Sequence, residues 1–214
     1  MRKSSITGGT RKKSKDFQPD ATKAARQTPS PYLYLNPLGS FPNFTAGCLR
    51  RRYSGRINTA EEFGRLKLHP INPPPAGQPW ASSCRHTVLL PPAAADELLD
   101  PQRLLASFDA AAVEWKPALL AYATFRFPNA ARLHVMFEEI RAVAKELVKA
   151  RGAPAVVIQH VPAAAGSRNS PHCHLLMPVR ALSGVGAGWG PYDDVLEHDD
   201  GQKLIWDTWN GVKG

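Results

Sequence analysis

The segment QHVPAAAGSRNSPHCHLLMPVR, residues 159–180, carries three of the chain's seven histidines. His172 and His174 flank Cys173, and His160 stands twelve residues before His172, at the end of the apolar run VVIQH. Neutral imidazole is the commonest side-chain ligand of divalent transition metals, so this grouping points to metal chemistry. Successive side chains of a strand point to opposite faces. In a strand, His172 and His174 would share one face, and Cys173, Leu175 and Met177 the other. Pairing residues 155–161 with 172–179 would bring His160 beside the other two. Three imidazoles on one side of two adjacent strands make a facial metal site with open positions. A closed structural zinc site would want four ligands, usually with cysteine. Cys173 points away, and Cys84 has no cysteine partner at useful spacing. The alternative is three incidental histidines, each satisfied on its own.

The elements that must position these residues can be read around them. PAVVIQHV (residues 154–161) and HCHLLMPVR (172–180) read as strands, with Pro178 marking an edge or a strand end. AAAGSRNSP between them is a loop. ALLAYATFRF (118–127) reads as a strand in which Tyr122, Thr124 and Arg126 alternate with Ala123, Phe125 and Phe127. Asn129 then offers an N-cap to a long amphipathic helix. Its stripe is Leu133, Met136, Phe137, Ile140, Val143, Ala144, Leu147 and Val148, and Gly152 stops it. RHTVLLP (85–91) is a further strand, and DELLDPQRLLASF gives short helical turns. SGVGAGWGP reads as a flexible loop, and DDGQKLIWDTWNG as a C-terminal helix that packs Trp206 and Trp209. This order favours an α+β fold, a mostly antiparallel sheet with helices on one face.

The N-terminal quarter differs. Residues 1–58 hold twelve Lys or Arg against two Asp, whereas the remaining 156 hold fifteen against sixteen Asp or Glu. Residues 1–30 are expected to be a disordered basic tail. Residues 31–79 read as an irregular basic arm ending in the stiff linker INPPPAGQP, with the folded domain over 80–214. TAGCLRRRYSGRI within the arm reads as the start of a helix that Gly55 would end. The charge asymmetry suggests a polyanion such as nucleic acid, or else a tail that only aids solubility. Three cysteines without regular spacing fit a reducing, cytoplasmic setting. No apolar run suits a membrane span, so no membrane insertion is expected, and no apolar core follows the N-terminal basic residues as in a secretory signal. The first thirty residues are basic and rich in Ser and Thr, as a transit peptide would be, while Asp16 and Asp20 count mildly against one.

VVIQH followed by NSPHCHLLMPVR resembles the histidine–hydrophobic–histidine motif of tyrosine-dependent single-strand endonucleases. It is most similar to that of the MobA/MobL plasmid relaxases, whose pattern is a strand ending in His, a polar loop, NPHxH, apolar residues and Arg. YATFRFPNAARLHVMFEEIRAVAKELVKARG resembles the family's upstream strand and long helix, and GWG and LIWDTWN extend the likeness over roughly residues 116–210. This chain departs from the pattern in Ser170 between Asn169 and Pro171, in a longer loop after His160, and in the small Cys173.

The resemblance implies a relaxase/Rep-like palm and a tyrosine that attacks a DNA phosphodiester, leaving a phosphotyrosine bond and a free 3′-hydroxyl. It implies His160, His172 and His174 as ligands of a divalent metal, Mg or Mn, with Zn as the alternative. Arg180 would share the parity of His172 and His174 and offer a forked donor to a phosphate, or else be a solvated strand-end arginine. For the nucleophile Tyr53 matches best, with Arg50, Arg51 and Arg52 drawing phosphate towards it. Tyr32, Tyr34 and Tyr192 are rivals, and none need be catalytic. Trp189 would stack on an unpaired base. The implied activity is nicking of single-stranded DNA at a plasmid transfer origin during mobilisation or conjugal transfer, with accessory transfer proteins as further partners. The rival readings are a DNA-binding relaxase remnant without activity, a related single-strand transposase or replication initiator, and a protein whose histidines are incidental.

Overall fold

The computed structural model describes residues 33–35 (as backbone), 41, 43–80, 84–182 and 188–213. The expected tail at residues 1–30, and Tyr32, lie outside the described residues. Six strands form one antiparallel sheet in the order β1-β2-β6-β8-β7-β5. They are β1 (Leu33–Leu35), β2 (Phe44–Arg50), β5 (His86–Leu89), β6 (Ala118–Arg126), β7 (Ala155–His160) and β8 (His172–Pro178). Two short hairpins pair β3 (Arg52–Tyr53) with β4 (Arg56–Ile57), and β9 (Arg180–Leu182) with β10 (Trp189–Tyr192). The helices are α1 (Ala60–Leu68), α2 (Pro101–Ala111), α3 (Leu133–Arg151) and α4 (Asp199–Lys213). The α+β antiparallel architecture expected from the sequence is the observed one, with helices on both faces of the sheet rather than on one.

Helix α3 buries the expected stripe from Met136 on, Met136, Phe137, Ile140, Val143, Ala144, Leu147 and Val148, against the sheet, while Leu133 is exposed. With α4 it covers the face carrying Phe44, Phe125, Cys173, Leu175 and Met177, where Trp209 packs edge-on to Phe125. The helix begins later than expected. Asn129 lies in a turn closed by the Ala130 amide on the Phe127 carbonyl, and the N-cap position falls at Arg132 with no side-chain cap. Gly152 ends the helix in the left-handed region at φ 66°, where a Cβ would strain the chain.

The segment read as an irregular arm holds an interior strand. β2 pairs with β6 from Phe44↔Phe125 to Arg50↔Ala118, and a hairpin replaces the expected helix start. Its residues Ala46, Gly47 and Cys48 are small and fit between two covered faces, so the usual polar–apolar alternation is missing. Ser54 and Gly55, at φ 50° and 78°, make the tight turn of the β3–β4 hairpin. The end of the segment read as a Gly-rich loop, from Trp189, is likewise a strand, β10, and residues 183–187 lie outside the described residues.

Helices α1 and α2 lie towards the opposite face of the sheet, with Phe63 edge-on to Tyr122 of β6. They are joined tightly. The Asp109 carboxylate accepts from the Ala60 and Glu61 amides, both at 2.8 Å, and so caps α1 from α2. Gly64 allows the close approach, because a Cβ there would collide with Leu105. Ile140 is fully buried between α3 and the sheet. Ile140→Ala is expected to lower unfolding free energy by about 2–5 kcal/mol, read as a lower urea midpoint with unchanged m-value.

Candidate metal centre

The site is made by register. β7 and β8 pair so that His160 and His172 stand directly opposite, and His174 lies two residues further along β8. On the other side of β8, His172 faces Arg126 and His174 faces Thr124 of β6. The three rings sit edge-to-face, with centroids 5.1 Å apart for His160–His172, 4.5 Å for His160–His174 and 4.9 Å for His172–His174. One ligand atom from each lies within 4.8 Å of the others. Cys173 points away into the core, where burial pushes its thiol up to about 12.

Each ring has one nitrogen on an oxygen partner, which leaves the other for a ligand. His160 Nε2 is 2.6 Å from the Lys67 carbonyl, and His172 Nδ1 is 2.9 Å from the Ser170 carbonyl. Both oxygens only accept, so those nitrogens carry the proton. His174 Nδ1 meets the Tyr122 hydroxyl at 2.8 Å and Thr124 Oγ1 at 3.0 Å. The nitrogens left are His160 Nδ1, His172 Nε2 and His174 Nε2. His160 Nδ1 and His174 Nε2 are 3.2 Å apart. Two nitrogens bound at about 2.0–2.1 Å to one ion stand about 2.8–3.4 Å apart at octahedral or tetrahedral angles. The donor set and its outer hydrogen bonds therefore suit a divalent ion, in the pattern that fixes ligand tautomers elsewhere.

Electrostatics agrees. Burial holds the His160 imidazole down to about 4, against the pull of its bond to the Lys67 carbonyl. Burial lowers His172 as well, and fully buried His174 is lowered furthest. The rings are therefore neutral near pH 7, as ligands must be. The charges acting on them are cationic, Lys67 on all three and Arg126 on His172 and His174. Arg126 is exposed and donates to Thr45 Oγ1 at 2.7 Å, so one side of the cluster opens to solvent beside a guanidinium.

The other expected site residues lie elsewhere. Arg50 lies five residues along β2 from Thr45, whose partner Thr124 faces His174. That is roughly 17 Å at the usual strand rise, and Tyr53 lies beyond Arg50 in β3. Arg51 reaches the Ala112 carbonyl at 3.2 Å, and Arg52 is exposed. Arg180 belongs to β9, because β8 ends at Pro178 and the parity of the histidines does not extend past it. Its guanidinium donates to the carbonyls of Ala111, Trp189 and Gly190, at 2.7, 2.8 and 2.7 Å. Trp189 is half-buried, edge-on to Phe108, with its indole N–H on Ser107. The Tyr192 hydroxyl accepts from the Val113 amide. Tyr34 is in β1, opposite Cys48.

Tyr122, Thr124 and Lys67 were not singled out as site residues. The first two carried a signal in the alternation of β6. Lys67 carried none, since it meets His160 across 93 residues of chain.

No family model matches this chain, and no curated protein does. Its fold is similar to that of a solved Staphylococcus aureus protein, described under the molecular basis of vancomycin resistance transfer. The TM-score is 0.51 at 19% identity, over 62% of this chain and 69% of that one. That likeness is one of fold alone. Among the described residues no helix is long and apolar enough to cross a membrane.

A depressed imidazole means that the unfolded chain binds protons the folded one refuses. Between its usual 6.5 and about 4, His160 therefore makes the metal-free protein less stable as pH falls, and above 6.5 it has no such effect. Urea midpoints of metal-free protein are expected to drop across that window, and to drop less in His160→Gln. Tyr122→Phe is expected to weaken Mn²⁺ binding about tenfold through loss of ring orientation, measured by calorimetric titration.

Proposed function

We propose that the protein is a metal-dependent, relaxase-like enzyme that nicks single-stranded DNA through a tyrosine, in plasmid mobilisation or conjugal transfer. The observation that carries this reading is the convergence of three neutral imidazole nitrogens beside an open, cationic rim. His160, His172 and His174 would hold the ion, Mg²⁺ or Mn²⁺ by the resemblance to relaxases and Zn²⁺ as the alternative donor match. When bound, such an ion polarises a phosphodiester and offsets charge on its oxygens. The chain's own residues supply the rest. Tyr122 and Thr124 hold the His174 ring, the Ser170 and Lys67 carbonyls hold the other two, and Arg126 places a forked donor at the opening. Arg50, Arg51 and Arg52 would contact phosphates farther along the strand, and Trp189 and Arg180 would support that path.

Tyr53 is the proposed nucleophile, delivered to the metal centre by movement of its hairpin. Its distance along β2 favours a second reading, in which the protein binds single-stranded DNA and does not cut it. Tyr122 is unsuited to attack, since it is buried and its hydroxyl is held by His174 and Thr124.

Incubation with labelled single-stranded DNA and Mn²⁺, followed by denaturing electrophoresis, separates the two. Nicking predicts a covalent adduct that is lost in Tyr53→Phe and in His172→Ala. Salt-sensitive binding with no adduct selects the second reading, and neither binding nor adduct eliminates both.

A further inference from the structure

We propose that the Lys67 ammonium binds the DNA phosphate presented to the histidine cluster, so that α1 grips both the metal centre and its substrate. This rests on the single-stranded DNA reading above and names the residue that would hold the strand. Lys67 is the next-to-last residue of α1, and its carbonyl is the 2.6 Å partner of His160. Its ammonium lies 5.1 Å from the ring centroid of Tyr122 and 5.2 Å from that of Phe63. The Tyr122 hydroxyl is in turn bonded to His174. The ammonium is thus held beside the supports of two of the three imidazoles.

What holds it there leaves its charge in place. Lys116, Arg151 and Arg85 each meet a carboxylate, on Glu197, Asp193 and Glu138. Among the described residues Lys67 forms no ion pair, and its contacts are with aromatic faces. A half-buried cation beside the supports of His160 and His174 is unfavourable by itself, more so once an ion joins the imidazoles, unless the ligand brings negative charge. Arg126 stands opposite, across His172 in register. The ligand chemistry that satisfies a metal ion between two cations is a phosphodiester. His174 is only 4% exposed, so the phosphate must come from a backbone that can bend inward, as a single strand can and a stiff duplex cannot.

The test uses Lys67→Met, which keeps the apolar stem over Phe63 and Tyr122, and Lys67→Arg, which restores charge. Fluorescence anisotropy with a labelled single-stranded oligonucleotide in Mn²⁺, over a salt series, reads DNA affinity. Mn²⁺ paramagnetic resonance without DNA reads the metal centre. Lys67→Met is expected to bind DNA about tenfold more weakly, with a salt slope shallower by about one phosphate contact. Lys67→Arg should recover most of the affinity. Mn²⁺ affinity should fall in neither, because the carbonyl of residue 67 belongs to the main chain and loss of the ammonium removes only a repulsion. Wild-type DNA affinity and slope in Lys67→Met would overturn the assignment. So would an equal loss of Mn²⁺ binding, which would make Lys67 only a support for α1. Absence of DNA binding by the wild type itself would instead sink the single-stranded DNA reading, and this one with it.

Discussion

The site depends on a single register, His160 opposite His172 in an antiparallel ladder. A slip of one residue would turn β8 over, sending Cys173 to the cluster and His172 and His174 into the core. The slip is opposed from both faces of the sheet. Leu175 and Met177 are buried on the side of α3 and α4, and Leu176 on the side of α1 and α2. A strand covered on both sides has no cheap alternative setting, so ordinary packing holds the spacing of the imidazoles.

Neutrality and orientation come from separate sources. Burial removes the charge from the rings, most completely at His174; main-chain carbonyls set the tautomers of His160 and His172, and two hydroxyls hold the His174 ring. One of those partners, the Lys67 carbonyl, arrives on a helix that is not part of the sheet. The position of α1 is set in turn by the Asp109 cap and by its close packing on Leu105 at Gly64. Contacts far from the histidines thus reach them through a chain of hydrogen bonds and packing, which links the stability of the α1–α2 pair to the geometry of the centre.

The sheet also has two unlike ends. Near His172 lie Arg126, Thr45 and the loop before Pro171. At the other end lie the three arginines of residues 50–52, the β3–β4 hairpin and the β9–β10 hairpin. There Arg180 joins Ala111, Trp189 and Gly190 by hydrogen bonds to their carbonyls. Arg180, Trp189 and Tyr192 tie α2 and the loop after it to β10. A residue type suited to chemistry can thus serve the frame when its donors meet main-chain carbonyls.

Period-two and period-3.6 patterns made β5, β6, β7, β8 and α3 legible from the chain, and parity alone put His172 and His174 on one face and Cys173 on the other. These are local properties, set by where successive side chains of a strand or helix must point. The strand character of β2 was hidden, because small residues between two covered faces show no alternation. Arg180 was misplaced by carrying parity across Pro178, where the ladder stops. Which strand lies beside β8, and hence that Tyr122 and Thr124 serve His174, was decided only by pairing across some 50 residues. The meeting of Lys67 with His160 was decided by packing alone, because nothing local in either segment encodes a contact made when one helix docks on another.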